Sequence, residues 1–362
     1  MMKTRSLNIS SGIMKPTTVI LIFVFIGLSF IGSGEAANAA YVFGDSFVDT
    51  ANAGNEFAPY GMTWPGYPSG RASDGRNQAD YFAEVFGVPS PIPYQQLKND
   101  SQSVLGVNFG RGGGSVMYAY GHTPLALQVD QLEALLEKGV LTRDYLSNSV
   151  ALVSIGVNDY GSRNLHGIFQ VSAESEELKT FITNVVDGIT SNIVRLHRLG
   201  IRNIVVANLA NMPCSPYVTV DSNFTTCSNN STITTENSNH NALLEKRMDL
   251  LRFELLGANI VILDQTKAFN LLFHNGTNFG FVDPLTPCCY GKDPLDAFAC
   301  GSKDSEGQPL YTVCEDPTKS VIFDGIHPTQ EAWRILYNLY AFGTEFTLGA
   351  PNLRSWIRQY TI

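Results

Sequence analysis

The 362 residues are 44% hydrophobic and 16% charged, enough apolar mass for a sizeable core and too much for a disordered chain. Net charge is −9, the pI is near 5.2, and no basic stripe occurs. This excludes a protein built to grip a phosphate backbone, so nucleic acid is not an expected partner.

At the N-terminus, Lys3, Arg5 and Lys15 precede an apolar run from Val19 to Ile31, and small residues follow as far as Ala37-Asn38-Ala39. That order of charged, apolar and small segments is the order of a cleaved secretory signal peptide, and the run is short for a membrane span. We expect cleavage between Ser33 and Ala40, with residues 1–39 as the leader and residues 40–362 as one secreted domain without a transmembrane span. Asn99, Asn223, Asn229, Asn230 and Asn275 each open an N-x-[ST] sequon, usable only in that pathway. All six cysteines lie between Cys214 and Cys314 without a CxxC pair, so disulfides are expected and zinc is not. Cys214 is expected to pair with Cys227, and Cys288 and Cys289 with Cys300 and Cys314 in either order.

Tyr41–Phe43 is the first predicted strand. Gly44 permits a sharp turn after it, and Asp45-Ser46 stand where Asp and Ser begin helices, which would put the Ser46 hydroxyl at a strand-to-helix corner beside free N–H groups. Taken alone, Ser46 reads as a helix cap. Glu56 to Arg71 is crowded with aromatic residues and prolines and is assigned to a substrate rim. A helix over Asn77–Phe86 follows the start signal Ser73-Asp74-Gly75.

The strand Gly106–Phe109 leads into Asn108-Phe-Gly-Arg-Gly-Gly-Gly114, whose glycines let backbone N–H groups approach a ligand. As a dinucleotide fingerprint this block fails, because Ser115 holds the third glycine position and Asp130, at the ribose distance, falls inside a helical pattern; no cofactor is expected. A helix over Leu125–Lys138 precedes the strand Val150–Ile155 and then Gly156-Val157-Asn158-Asp159. There an Asn side chain can donate to an oxyanion or form an Asx-turn.

The helix Glu176–Leu199, stopped by Gly200, the strand Asn203–Ala207, the helix Glu236–Leu256 and the strand Asn259–Leu263 complete the alternation. Phe279 to Lys319 breaks it and holds four of the six cysteines. Last come Phe323-Asp324-Gly-Ile-His327-Pro-Thr329 and a helix over Gln330–Phe342. Asp and His three residues apart can meet across a turn, the carboxylate taking one imidazole nitrogen and leaving the other to accept a proton. Alone, His327 also fits an ordinary turn histidine.

Strand alternating with helix implies a three-layer α/β/α fold around a central, mostly parallel five-stranded sheet, with ligands beyond the carboxyl ends of the strands. The candidates Ser46, the glycine block and Asn158 all follow strands. As an ordered set, Gly44-Asp45-Ser46-Phe47, Asn108 to Gly114, Gly156-x-Asn158-Asp159 and Asp324-x-x-His327-Pro-Thr resemble the plant GDSL esterase/lipase family of SGNH hydrolases. Gly70-Arg71-Ala-Ser73-Asp74-Gly75-Arg76 and Cys288-Cys289 extend the resemblance over nearly the whole mature chain.

The resemblance implies a flavodoxin-like sheet and a serine esterase or lipase acting on small-molecule or lipid esters without cofactor or metal, or an acyltransferase serving an alcohol acceptor. It implies Ser46 as nucleophile and oxyanion N–H donor, Gly113 as second donor with Gly112 one register away, and Asn158 as side-chain donor. His327 matches the base and Asp324 its partner. Three positions depart from the family pattern: Phe47 replaces the namesake Leu, which should affect packing only, Phe323 replaces the usual Trp, and Arg111 stands where a small residue is usual.

Overall fold

Alternating apolar runs and amphipathic stretches become a sheet with helices on both faces. The computed structural model describes residues 37–53, 56–117, 123–165, 172–292, 299–350 and 352–360, so most of the expected leader lies outside it. The elements begin with β1 (Ala40–Gly44), α1 (Gln78–Val85), β2 (Ile92–Pro93), β3 (Val107–Asn108), α2 (Leu125–Glu137), α3 (Arg143–Ser147) and β4 (Val150–Ser154). They continue with α4 (Val157–Leu165), α5 (Glu176–Leu199), β5 (Asn203–Ala207), α6 (Pro216–Thr219), α7 (Ser231–Glu254), β6 (Asn259–Leu263) and α8 (Gln265–Asn275). A hairpin of β7 (Cys289–Gly291) and β8 (Tyr311–Val313) precedes α9 (Gln330–Phe342), β9 (Thr347–Leu348) and α10 (Leu353–Tyr360).

Among the described residues the main sheet runs β2-β3-β1-β4-β5-β6-β9, seven strands rather than five. The five expected strands are its parallel centre; β2 joins parallel at one edge and β9 antiparallel at the other. Both additions are two residues long, too short to leave a periodic signal, and Pro93 suits only an edge. Counting the central five alone, the order is 2-1-3-4-5, a doubly wound arrangement whose switch point lies between β1 and β4.

Side-chain alternation divides the core. Tyr41, Phe43, Ala151, Val153, Ile204 and Val206 face α2, α5 and α7, while Val42, Leu152, Val205 and Leu263 face α1, α8 and α9. Each face is dry because a parallel sheet's crossovers cover both sides. The longest crossover, α5, forms for reasons legible in its ends: Ser175 accepts from the Leu178 N–H, Glu176 and Glu177 occupy the positive first turn, and Gly200 closes it at φ +119°.

Several boundaries differ from expectation. No helix follows Ser46; residues 46–48 make a turn, because the Asp45 carboxylate takes the Phe47 N–H and Asp49 then caps Ala51, Asn52 and Ala53. The cap of α1 is Asn77, in a capping box with Asp80, rather than Ser73-Asp74. Helix α7 begins at Ser231, not Glu236, on an Asn230 cap, because its first turns are polar and carry no apolar stripe. Among the described residues, no helix is long and apolar enough to cross a membrane.

Candidate active site

Three loops at the carboxyl ends of the central strands, and one late loop, converge. The β1 turn is held by a clamp that sequence reasoning missed: buried Gln128 of α2 accepts the Gly44 N–H at 2.8 Å and donates to the Gly44 carbonyl at 2.8 Å. The Asp45 N–H donates to Ser154 O of β4. A Cβ on Gly44 would stand 2.0 Å from that same carbonyl, so only glycine allows β1 and β4 to close up here.

The Ser46 hydroxyl, half-buried after this turn, lies 2.7 Å from His327 Nε2. His327 Nδ1 faces both Asp324 oxygens, at 2.9 and 2.8 Å, and the same carboxylate accepts the backbone N–H groups of Ile326 and His327 at 2.9 and 2.8 Å. Three donors making four contacts leave the carboxylate no freedom to swing. One of its oxygens takes a further bond, 2.7 Å from the Tyr60 hydroxyl, a residue the sequence placed only on a substrate rim.

Burial pushes the Asp324 pKa up, but the His327 charge and these bonds outweigh it, and the carboxyl sits below its ordinary value. Burial likewise works to depress His327; the Asp324 charge and hydrogen bond, with help from Asp45, raise it above an ordinary histidine.

The glycine block is fastened at each end. Arg111 N–H donates to Gly44 O, Gly112 N–H to Asp49 Oδ2 at 2.8 Å, and Val116 and Met117 N–H groups to the Asp159 carboxylate at 2.9 and 2.7 Å. Gly112 is therefore occupied. Gly113, at φ +74°, and Ser46 have backbone N–H groups with no acceptor among the described residues. Asn158, in the first turn of α4, spends one amide hydrogen on Gly114 O at 2.8 Å and keeps the other. The Arg111 guanidinium turns to the Asn52 carbonyl, where it props the Asp49 turn.

Not every expected element reaches the site. In the aromatic stretch, Tyr60 packs edge-on to Phe323 and Trp64 lies under Arg71 and Arg76, so these two rings brace the scaffold rather than form a rim. Ser73 Oγ donates to Pro328 O and Asp74 accepts the Gln330 N–H at 2.7 Å, tying this stretch to the end of the His327 loop. Asp130 pairs with Arg195 on the surface, far from any nucleotide role. His197 meets Leu256 O and buried His240 meets Tyr160; His122 and His166 lie outside the described residues.

The disulfides join Cys214 to Cys227, Cys288 to Cys314 and Cys289 to Cys300. Cys214 and Cys227 also approach His274, but their sulfurs are spent on each other. The other two bridges close the hairpin region on itself, and backbone bonds fasten it to the strand-like run before Asp324: Cys288 N–H donates to Ile322 O and Cys289 N–H to Phe323 O.

A hydroxyl, an imidazole and a fixed carboxylate in line, with uncommitted N–H donors on the Ser46, Gly113 and Asn158 loops, make up the parts list for acyl transfer. A family model described as GDSL-like lipase/acylhydrolase matches residues 41–339. One GDSL esterase/lipase of Arabidopsis thaliana is 33% identical over 351 residues, covering 90% of this chain and 96% of its own. Another from the same plant is 36% identical over 312 residues, covering 83% and 84%. With the motifs, the sheet and relatives of full length in agreement, the chain belongs to the GDSL lipase/acylhydrolase family and is a carboxylic ester hydrolase.

Proposed function

We propose that Ser46 is the nucleophile of a two-step ester hydrolysis, His327 its base, and Asp324 the group that holds the imidazole in the right tautomer. His327 Nε2 takes the Ser46 proton as Oγ attacks the ester carbonyl. The oxyanion is received by the Ser46 and Gly113 N–H groups and the free Asn158 amide hydrogen. His327 returns the proton to the departing alkoxide, leaving Ser46 acylated. Water, giving its proton to the same nitrogen, attacks the acyl-enzyme, and Ser46 leaves with that proton to free the acid.

The observation that carries this reading is the 2.7 Å contact between Ser46 Oγ and His327 Nε2, with Asp324 on the imidazole's other nitrogen. In the same reading the residues upstream of Ala37 are a cleaved leader. Ala37 and Ala39 are 6% and 1% exposed, so a cut at residue 39 would remove packed side chains and a cut before Ala37 would leave both in place. The rest is one secreted hydrolase domain. Its five sequon asparagines, Asn99, Asn223, Asn229, Asn230 and Asn275, are all exposed, as glycosylation requires.

The test is esterase assay together with labelling by a fluorophosphonate. Wild type is expected to turn over and label at Ser46, and Ser46→Ala to do neither. Asn158→Ala should lower kcat about 10²–10³-fold with KM nearly unchanged. Full activity in Ser46→Ala would overturn the assignment, and an ester product in place of free acid when an alcohol is added would make the protein an acyltransferase.

A further inference from the structure

Beside the catalytic loops lies an apolar slot whose walls are their chain neighbours. Phe47 follows Ser46, Val157 precedes Asn158 and Ile326 precedes His327; Met212, Phe269 and Phe273 supply the larger side chains of the remaining wall. Its free volume is about 20 Å³. A single water needs roughly 10–15 Å³, so the slot admits a methyl group and little more.

The walls are braced. Phe47 meets Trp333 edge-on with ring centres 5.5 Å apart, Trp333 meets Phe269 at 6.0 Å, and Phe269 meets Phe273 at 5.9 Å. Trp333 and Phe269 are 1% exposed, so widening the slot would disturb close-packed core. Its two polar members are satisfied elsewhere: Asn211 Nδ2 donates to Asn270 Oδ1 and Cys214 Sγ, and Ser215 Oγ donates to Met212 O. The slot therefore offers hydrocarbon contact and has no spare donor for a hydroxyl.

We propose that this slot is the acyl subsite, and that it confines the enzyme to the shortest acyl groups, acetyl above all, on alcohols that remain outside it. The inference rests on Ser46 as nucleophile. It makes Phe47 a specificity residue: the side chain that replaces the family's usual Leu fills space that a Leu would leave open.

The experiment uses p-nitrophenyl acetate, butyrate and octanoate, which vary the acyl group alone, with active sites counted by phosphonate titration. Wild type should favour acetate over octanoate by tenfold or more in kcat/KM, since each misfit methylene in a tight pocket costs about tenfold or more. Phe273→Leu and Met212→Ala, made separately in case one fails to fold, should cut that preference about tenfold by raising butyrate and octanoate turnover. Equal or better use of octanoate by wild type, or an unchanged chain-length profile in both folded variants, would overturn the proposal. Ser46→Ala run alongside separates the failures: activity surviving in it sinks the nucleophile, whereas a long-chain preference that vanishes with Ser46→Ala sinks the acyl slot alone.

Discussion

Asp324 has five hydrogen-bonding contacts from four groups, and the carboxylate and one of its donors can be changed with opposite results. In the proposed mechanism His327 must be neutral to accept the Ser46 proton, and its pKa lies above the ordinary histidine value, so activity should rise with pH along an acid limb set by that residue. Asp324→Asn removes the charge that raises it: the limb should move to lower pH while kcat falls about 10³–10⁴-fold. Tyr60→Phe removes a donor that blunts the carboxylate's charge, so the limb should move to higher pH with a much smaller loss of rate. pH profiles of kcat/KM for the three proteins decide it; shifts in the same direction would refute the account. Asp324 and His327 could be read from the chain because their spacing carries the geometry. Tyr60 could not, since its partner lies across the fold and its immediate neighbours look like any aromatic loop.

At the scale of elements, the expected strands and the helices α1, α2, α5 and α9 were legible because caps and apolar spacing agree. Helix α8 could have been found from Asp264 as its cap and from Ala268, Phe269, Leu272 and Phe273 on one side. The β7–β8 hairpin could not, being defined by disulfides and by pairing to Ile322 and Phe323. Two predictions belong here. Gly44→Ala should overpack the β1–β4 junction, costing roughly 1–3 kcal/mol in thermal unfolding and displacing Ser46, with kcat falling more than KM rises. An alanine variant of wild-type stability and rate would contradict it. Replacing Cys289 and Cys300 together with Ser should cost about 2–4 kcal/mol and lower kcat while the far-UV spectrum persists, because the strap lies behind the Asp324 loop. Unchanged kcat in the folded double variant would detach the strap from the site.

For the whole molecule, the doubly wound sheet decides where chemistry can occur. The β1 and β4 loops flank its switch point, so Ser46 and Asn158, over a hundred positions apart in sequence, arrive together by topology alone. The same closeness buries acids. Asp45 and Asp159 are pushed up to about 7, chiefly by burial, against the Phe47 N–H and the His327 charge for Asp45 and the Val116 and Met117 N–H groups for Asp159. A carboxyl raised in the folded state stabilises it at low pH and loses that contribution as pH rises through the folded value; His327, also raised, acts in the same sense. Asp324, lowered, keeps its contribution across this range and loses it only in stronger acid. Thermal stability should therefore decline between about pH 4 and pH 7, and Asp45→Asn, which retains an acceptor for Phe47, should flatten that decline. Melting curves across this interval check it, and an identical slope in the variant would count against the buried acids.

The contact between Ser46 and His327 spans 281 positions. In the proposed mechanism, then, Ser46 is synthesised 281 positions before the imidazole that is to take its proton. On that proposal a chain halted before His327 carries the hydroxyl without its base, and ester cleavage has to wait for the fold to close.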